Sequence, residues 1–541
     1  MKNYKNIVTE GIIPLSKNEK INNAGGIVFQ INHWKQLIRF LIIGSEGGSY
    51  YVQEKKLTLE NIQNVLQCIK EDPLSVIEKV VEISTQGRAY KNDTLMLTLA
   101  LISRFGNIES RTQLKKIFTK VVRTGTQLFQ FVSFVNEMRG WGRSVKSTIS
   151  QWYLKNDYKR IEFQILKYQK RYGWSHKDVL RLAHVKPDNP KKDQIFQYIT
   201  HDKNPQNPAL EQIDCYTKIR CTDDERKVLS LVKQARFPLE MIPTKWHSSK
   251  VLSVVIKYIG YKSLIRNLAK FTHKEVFDDH DVVEYAVHKI TDPDIIRRSL
   301  IHPISILSAL KIYSSGKGYR SDIEFKPNNE IIHALNKAFS LSFSNVQPTG
   351  KRILLALDVS ASMDYGNVVG IPFLTPRDVV AAIAKVTSEV ERKENLVIGA
   401  FTYYRTSSDS FSYGDNFLEL SVDKIQKISL EGLINALKAF PFSRTDCSLP
   451  MRFALEYRIP IDAFVIYTDN ETYFNENSKR TPSQSLHVYN KKMNLNAKLI
   501  VVATTATDFS IADPDDQNML DICGFDSNCP AIISDFIAGK I

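Results

Sequence analysis

The chain has 541 residues, 43% apolar and 24% charged, with a net charge of +15; that length exceeds what one hydrophobic core serves and predicts several globular domains. No run approaches the ~20 apolar residues of a membrane span, and the polar start Met1–Asn6 has no signal-peptide core. Six single cysteines, at 68, 215, 221, 447, 523 and 529, show no zinc spacing, so reduced thiols are expected in a cytoplasmic protein, and the glycosylation-like triplets at 92–94 and 470–472 read as chance matches.

Residues 1–55 read as irregular, with one amphipathic stretch at Asn32–Leu41 between two glycine-rich runs. From about 56 to 345 the pattern is helical. Apolar residues recur at threes and fours, as in Leu57, Leu59, Ile62, Val65, Leu66 and Ile69. Polar or Gly/Pro breaks, such as Asp72-Pro73, Gly106-Asn107 and Gly140, divide the region into roughly sixteen helices with no strand-type alternation. Serial helices of this size without a strict repeat signature predict a HEAT-like α-solenoid.

Within it, Lys167–His184 is the densest basic and aromatic stretch. It reads as one helix ending at Gly173 and a second opening at Ser175, with Asp178 completing a capping box. Lys167 and Arg171 then share one helix face, with Lys170 beside them. Lys177, Arg181 and His184 share another, opposite the core-facing Val179, Leu180 and Ala183. Tyr172 or Trp174 could stack on a base; the bland alternative is solvated charge around a core Trp174. A second cluster, Met138–Lys146, carries Arg139, Arg143 and Lys146 around Gly-Trp-Gly. Lys35, Arg39, Arg266, Lys270, Lys317 and Arg320 are weaker basic candidates near small-residue breaks.

Ser344–Lys351 reads as a linker, dividing the chain into 1–345 and 346–541. Beyond it, apolar strand candidates 353–357, 396–402, 462–467 and 498–503 alternate with amphipathic helices 376–391, 430–439, 448–457 and 483–493. That alternation predicts a parallel, doubly wound sheet with its ligand site at the strand C-termini. The charge splits at the same boundary. Residues 351–541 hold 19 Lys and Arg against 24 Asp and Glu, and residues 1–350 hold 54 against 34. A basic helical part suits a polyanion, nucleic acid before membrane surface.

Asp358, Ser360 and Ser362 follow the first apolar strand, Asp469 ends the third, and Thr445 lies in the polar loop between. Carboxylates and hydroxyls at adjacent strand ends form an oxygen cage suited to a hard divalent cation, Mg²⁺ first. The alternative is a strand-end turn with a helix cap. Ser360 stands where an aspartyl-phosphate enzyme would need a second carboxylate, and no His or Lys is placed as a base, so a binder rather than an enzyme is expected. The Asp-x-Ser-x-Ser…Thr…Asp set resembles the metal-ion-dependent adhesion site (MIDAS) of von Willebrand factor A domains.

The segments Arg39–Tyr51, Gly173–Asp178, Ala309–Gly316, Gln347–Lys351, Thr445–Met451, Thr468–Thr472 and Ile511–Asp516 resemble the TROVE family of Ro ribonucleoproteins across essentially the whole chain. The resemblance implies a HEAT-like helical ring closed by a von Willebrand factor A domain. It implies Y RNA on a basic outer surface, single-stranded 3′ ends of misfolded non-coding RNA in a central hole, and non-coding RNA quality control in the cytoplasm and partly the nucleus. It implies a monomer, RNA contacts at Lys167, Arg171 and His184, and metal ligands at Asp358, Ser360, Ser362, Thr445 and Asp469. Ser443-Arg444 departs from the glycines the family tends to have there, and could limit what approaches the metal. A metal-dependent protein scaffold without RNA, or a metal-dependent nuclease, are the competing classes.

Overall fold

The computed structural model describes residues 19–538 apart from 22–26, 31, 45–53, 88, 90–91, 139, 319–321, 347, 365–373, 402–416, 441–444, 470–480, 504–508, 514–515, 524–531 and 534–535. Arg139, Arg320, Ser443, Arg444, Cys529 and the triplet at 470–472 therefore lie outside the described residues. The chain divides into two compact units, neither continuous in sequence. One gathers Met1–Asn64, Leu300–Lys311 and Phe339–Ile541; the other is Val65–Ser299 with Ile312–Ala338. Composition alone sets the division at 345/346, whereas compactness draws two earlier segments to the C-terminal unit. No described helix is long and apolar enough to cross a membrane.

Seventeen described α-helices run between Glu54 and Leu341, close to the number that the sequence breaks predict. The breaks are caps. Asp72 accepts from the amides of Leu74 and Ser75, with Pro73 opening the helix behind it, and Asn107 accepts from Ser110. The helices stack in two layers. Pro73–Thr85, Ile108–Val121 and Arg143–Lys155 pack side by side, and Asp93–Phe105 packs against Gly125–Met138. In this stretch each helix leans on the one two places away, the serial arrangement of a solenoid. Its apolar stripe follows the 3.6 period, as in the buried Val76, Ile77, Val80 and Ile83.

The C-terminal unit is built on a six-stranded sheet. Its strands are β5 (Ile353–Asp358), β6 (Leu396–Phe401), β7 (Phe417–Leu420), β8 (Ala463–Thr468), β9 (Lys498–Ala503) and β11 (Met519–Cys523), in the order β11-β9-β8-β5-β6-β7. All neighbours are parallel except β7, an antiparallel edge. The central strands read as continuous apolar runs because both faces are covered. Ile353, Leu355 and Leu357 pack with Val380, Ala384, Leu433 and Leu437 on one face. Leu354 and Ala356 pack with Met451, Ala454, Leu486 and Tyr489 on the other. The four flanking helices, Pro376–Val390, Leu430–Lys438, Leu449–Glu456 and Pro482–Met493, match the sequence reading.

The N-terminal segment departs from the irregular coil expected of it. β1 (Glu19–Ile21) and β2 (Ile27–Gln30) form a hairpin that β10 (Phe509–Ser510) extends, and helix His33–Ile43 packs on β11. Arg39 is not a surface cation: it is 3% exposed and its Nε donates to Asp521 at 2.7 Å, with a second bond from its guanidinium. Ser510 Oγ donates to the other carboxylate oxygen at 2.9 Å. One nearly buried carboxylate thus ties the N-terminal helix, β10 and β11 together.

Candidate functional site

The basic stretch folds differently from its reading as two helices. Helix Tyr158–Lys167 stops where Tyr168 leaves helical geometry (φ −121°, ψ 67°). A short hairpin follows, β3 (Lys170–Arg171) pairing antiparallel with β4 (Trp174–Ser175). Lys167 and Arg171 therefore do not share a helix face. The second half holds: Ser175 caps helix His176–Ala183 in a capping box with Asp178, and Val179, Leu180 and Ala183 are buried. His184 is not the last residue of that helix face but its left-handed cap, at φ 53°.

The side chains differ in how free their charge is. Lys170, Arg171, Arg181 and His184 are exposed. Lys177 faces Asp202 at 3.4 Å. Lys167 lies 3.9 Å from Glu240 and over the rings of Phe163 and Tyr168, which makes it the least available cation of the set. The two basic clusters, separate along the chain, meet in space. Trp141 and Trp174 lie with ring centroids 5.7 Å apart, so the turn that precedes exposed Arg143 and half-buried Lys146 borders the hairpin. Helix Gly125–Met138 also packs on β3 and β4. Gly125 makes that approach possible, because a Cβ there would stand 2.8 Å from Tyr168 Cβ and 3.1 Å from His176 Nε2. Of the weaker candidates, Arg266 is exposed, Lys317 faces Glu324 at 3.7 Å, and burial lowers the pKa of Lys270.

The oxygen-rich constellation assembles at the other end of the charge scale. β5 and β8 are neighbours, and the chain passes from β5 to β6 on one side and reaches β8 on the other, so Asp358 and Asp469 flank the point where strand order reverses. Asp358 is fully buried. Its Oδ1 accepts from the Ser360 amide at 2.9 Å and Thr445 Oγ1 at 3.2 Å, and its Oδ2 accepts from Thr468 Oγ1 at 2.7 Å. Ser360 and Ser362 hydroxyls stand 3.0 Å apart. Asp469 is buried immediately after β8. Burial pushes the Asp358 carboxyl up, against the pull of hydrogen bonds from Ser360, Thr468 and Thr445.

Two supports escape a sequence reading. Arg377, buried on helix Pro376–Val390, donates to the carbonyls of Val359 (3.1 Å) and Ser360 (2.9 Å) and to Asp364 (2.8 Å), fixing the turn that carries both serines. Asp446 accepts from Ser448 and from Arg452 at 3.2 Å, bracing the loop of Thr445. Only the Pro-Arg start of the helix hints at Arg377, and such an arginine ordinarily points to solvent.

A TROVE domain model matches residues 20–263, and a model of the Ro60 vWA domain matches residues 352–537. A Deinococcus radiodurans protein named RNA-binding protein RO60 is 33% identical, over 97% of either chain. The chain belongs to the Ro60 family. A Caenorhabditis elegans member, also named RNA-binding protein RO60, is 30% identical over 96% of this chain and 90% of its own length. The crystal structure of the Deinococcus radiodurans Ro (RSR) protein aligns with TM-score 0.73 and 32% identity, covering 94% of this chain and 100% of that one.

In this Ro60-family chain the constellation is oxygen-only, with two carboxylates and three hydroxyls. Among the described residues no group of three or more His, Cys, Asp and Glu converges, which leaves no described thiolate or imidazole site for a softer metal. A buried carboxylate held by hydroxyl dipoles fits a hard cation, since a nearby positive charge would offset its desolvation.

Under the hairpin, His176 is buried, stacks on Trp152 and lies 2.8 Å from Tyr153 Oη through Nδ1. Burial lowers its pKa to about 3. The unfolded chain takes up that proton near the ordinary histidine value of 6.5, so His176 contributes stability that is full above 6.5 and lost as pH falls toward about 3. The loss is on the order of 5 kcal/mol at most. Urea titrations over that range are expected to give a steeper fall for the native chain than for His176→Gln; equal slopes would remove the assignment.

Proposed function

We propose that this chain is an RNA-binding ribonucleoprotein component. It holds small structured RNAs of the Y RNA class on the basic face formed by Lys170, Arg171, Arg181 and His184 with Arg143 and Lys146. It takes single-stranded 3′ ends of misfolded non-coding RNAs through the central hole that the TROVE resemblance implies, acting in non-coding RNA quality control. The observation that carries the reading is the meeting of two basic clusters across Trp141 and Trp174, on a unit that holds the chain's positive excess. Relatives named as RNA-binding proteins support it.

Lysine and arginine release counterions from phosphates and confer affinity with little reading of sequence. Mg²⁺, held by Asp358, Ser360, Ser362, Thr445 and Asp469, would supply an electropositive docking point for a partner's carboxylate. Asp358 provides the buried charge, Thr468 and Thr445 hold its oxygens, and Arg377 orients the serine turn. No residue here is assigned a catalytic proton transfer, and the chain works as a cytoplasmic, partly nuclear monomer rather than an enzyme.

A salt titration of a small hairpin RNA against the purified chain tests the first part. Tight binding that weakens steeply with salt is expected, and no binding at low ionic strength overturns it in favour of a protein scaffold. For the metal part, Asp358→Ala is expected to abolish Mg²⁺ binding in calorimetry. RNA affinity should stay within about twofold, as for independent sites. Equal loss of both would join the two functions.

A further inference from the structure

The hairpin tip carries a residue that its backbone disfavours. Lys170 pairs with Ser175 and Arg171 with Trp174, which leaves Tyr172 and Gly173 as a two-residue connection. Both have positive φ, 53° and 79°, as a type I′ turn requires, and such turns favour Asn-Gly. Gly173 suits its place. Tyr172 does not: the left-handed region crowds Cβ and costs about 1–2 kcal/mol for such a residue. Burial does not compensate, since Tyr172 is 54% exposed, among the most exposed aromatic side chains described. An unfavourable conformation held in a bulky exposed residue points to use at the surface.

Its surroundings say what use. Lys170 and Arg171 are exposed beside it, with the Arg171 guanidinium folded onto the Lys170 carbonyl at 2.7 Å. The half-buried Trp174, packed on Trp141, fixes the opposite strand of the hairpin. An aromatic ring at a turn next to two exposed cations suits a flat π-face attached to a phosphate chain. Stacking of a base on an aromatic side chain contributes about 1–3 kcal/mol, enough to outweigh the turn penalty once RNA is bound.

We propose that Tyr172 stacks on an unpaired nucleobase of the bound RNA, while Lys170 and Arg171 hold the flanking phosphates. The inference rests on the RNA-binding reading above and adds selection to it. Cations grip any phosphate backbone, whereas the ring rewards RNA with a base free of its helix, a bulge or loop, over continuous duplex.

The test uses the full chain and two RNA hairpins with the same stem, one carrying a single unpaired 2-aminopurine. Tyr172→Asn installs the residue the turn prefers and removes the ring; Tyr172→Phe keeps the ring. Tyr172→Asn is expected to melt no lower than the native chain. It should bind the bulged RNA about 10-fold more weakly and the paired stem with unchanged affinity. The probe's fluorescence should be quenched by the native chain and by Tyr172→Phe but not by Tyr172→Asn. If Tyr172→Asn binds and quenches the bulged RNA like the native chain, while Lys170→Ala with Arg171→Ala weakens both RNAs, the stacking role falls and the RNA reading stands. Equal weakening of both RNAs by Tyr172→Asn also overturns base selection. Binding of neither RNA by the native chain removes the RNA reading and the stacking role together.

Discussion

Replacing Lys170 and Arg171 together by alanine is expected to weaken small-RNA binding roughly 30-fold near physiological salt, at about 1 kcal/mol for each exposed phosphate contact. Both residues lie on a hairpin strand and are exposed, with no ion pair to a described carboxylate, so their charge reaches a ligand at little desolvation cost. Because each phosphate contact releases counterions, the log–log salt dependence should become shallower by about 1.5 to 2. Lys218→Ala is the matched control. It removes a cation from the same unit, but one already 2.6 Å from Asp214, and should change the affinity little. An unchanged salt slope in the double variant would show that phosphates are gripped elsewhere. Lys167 is a weaker choice for this experiment than its place beside them in the sequence implies, since Glu240 and two rings already engage it.

The largest stability effect is expected at Asp521. Its carboxylate lies under Arg39, with both side chains nearly buried, and also accepts from Ser510. Asp521→Ala should destabilise its unit by about 3–5 kcal/mol, the cost of leaving a buried charge without its partner. Arg39→Met should cost a similar amount for the converse reason. The pair Arg39→Met with Asp521→Leu should recover much of the loss, since apolar replacements of similar volume remove the desolvation problem altogether. Chemical denaturation of the native chain, Arg39→Met, Asp521→Leu and the pair in a double-mutant cycle measures the coupling. Additive losses would mean that the bond contributes little and that helix His33–Ile43 is held by its apolar face alone.

The parts of this architecture legible in the sequence are those encoded by local pattern. The strands now labelled β5, β6, β8 and β9 stand out because each is a continuous apolar run buried on both faces, and the helices between them carry caps such as the Thr375/Asp378 box. Asp358, Ser360 and Ser362 are legible for the same reason, three oxygen donors within one turn of a strand end. What local pattern cannot encode is long-range pairing. β11 carries Asp521 in its middle and reads as no strand, until Arg39 accounts for the charge. β1 and β2 need β10, which lies far along the chain. The β3–β4 hairpin escapes because two residues per strand make no periodicity, and Lys167 and Arg171, four apart, mimic a helix face. Thr468 and Arg377 escape because their roles are to hold other residues, and their partners lie 110 and 13–60 positions away.

The pairing of β2 with β10, and of Arg39 with a residue 482 positions later, sets an order of events during synthesis. Helix His33–Ile43 leaves the ribosome with an apolar face whose cover has not been made, while the other unit needs only Val65–Ser299 and Ile312–Ala338 to close its core. Until β11 is translated, that early segment lacks the strand and the carboxylate on which it packs. A ribosome that stalls before Asp521 would therefore release a chain whose defect lies at helix His33–Ile43.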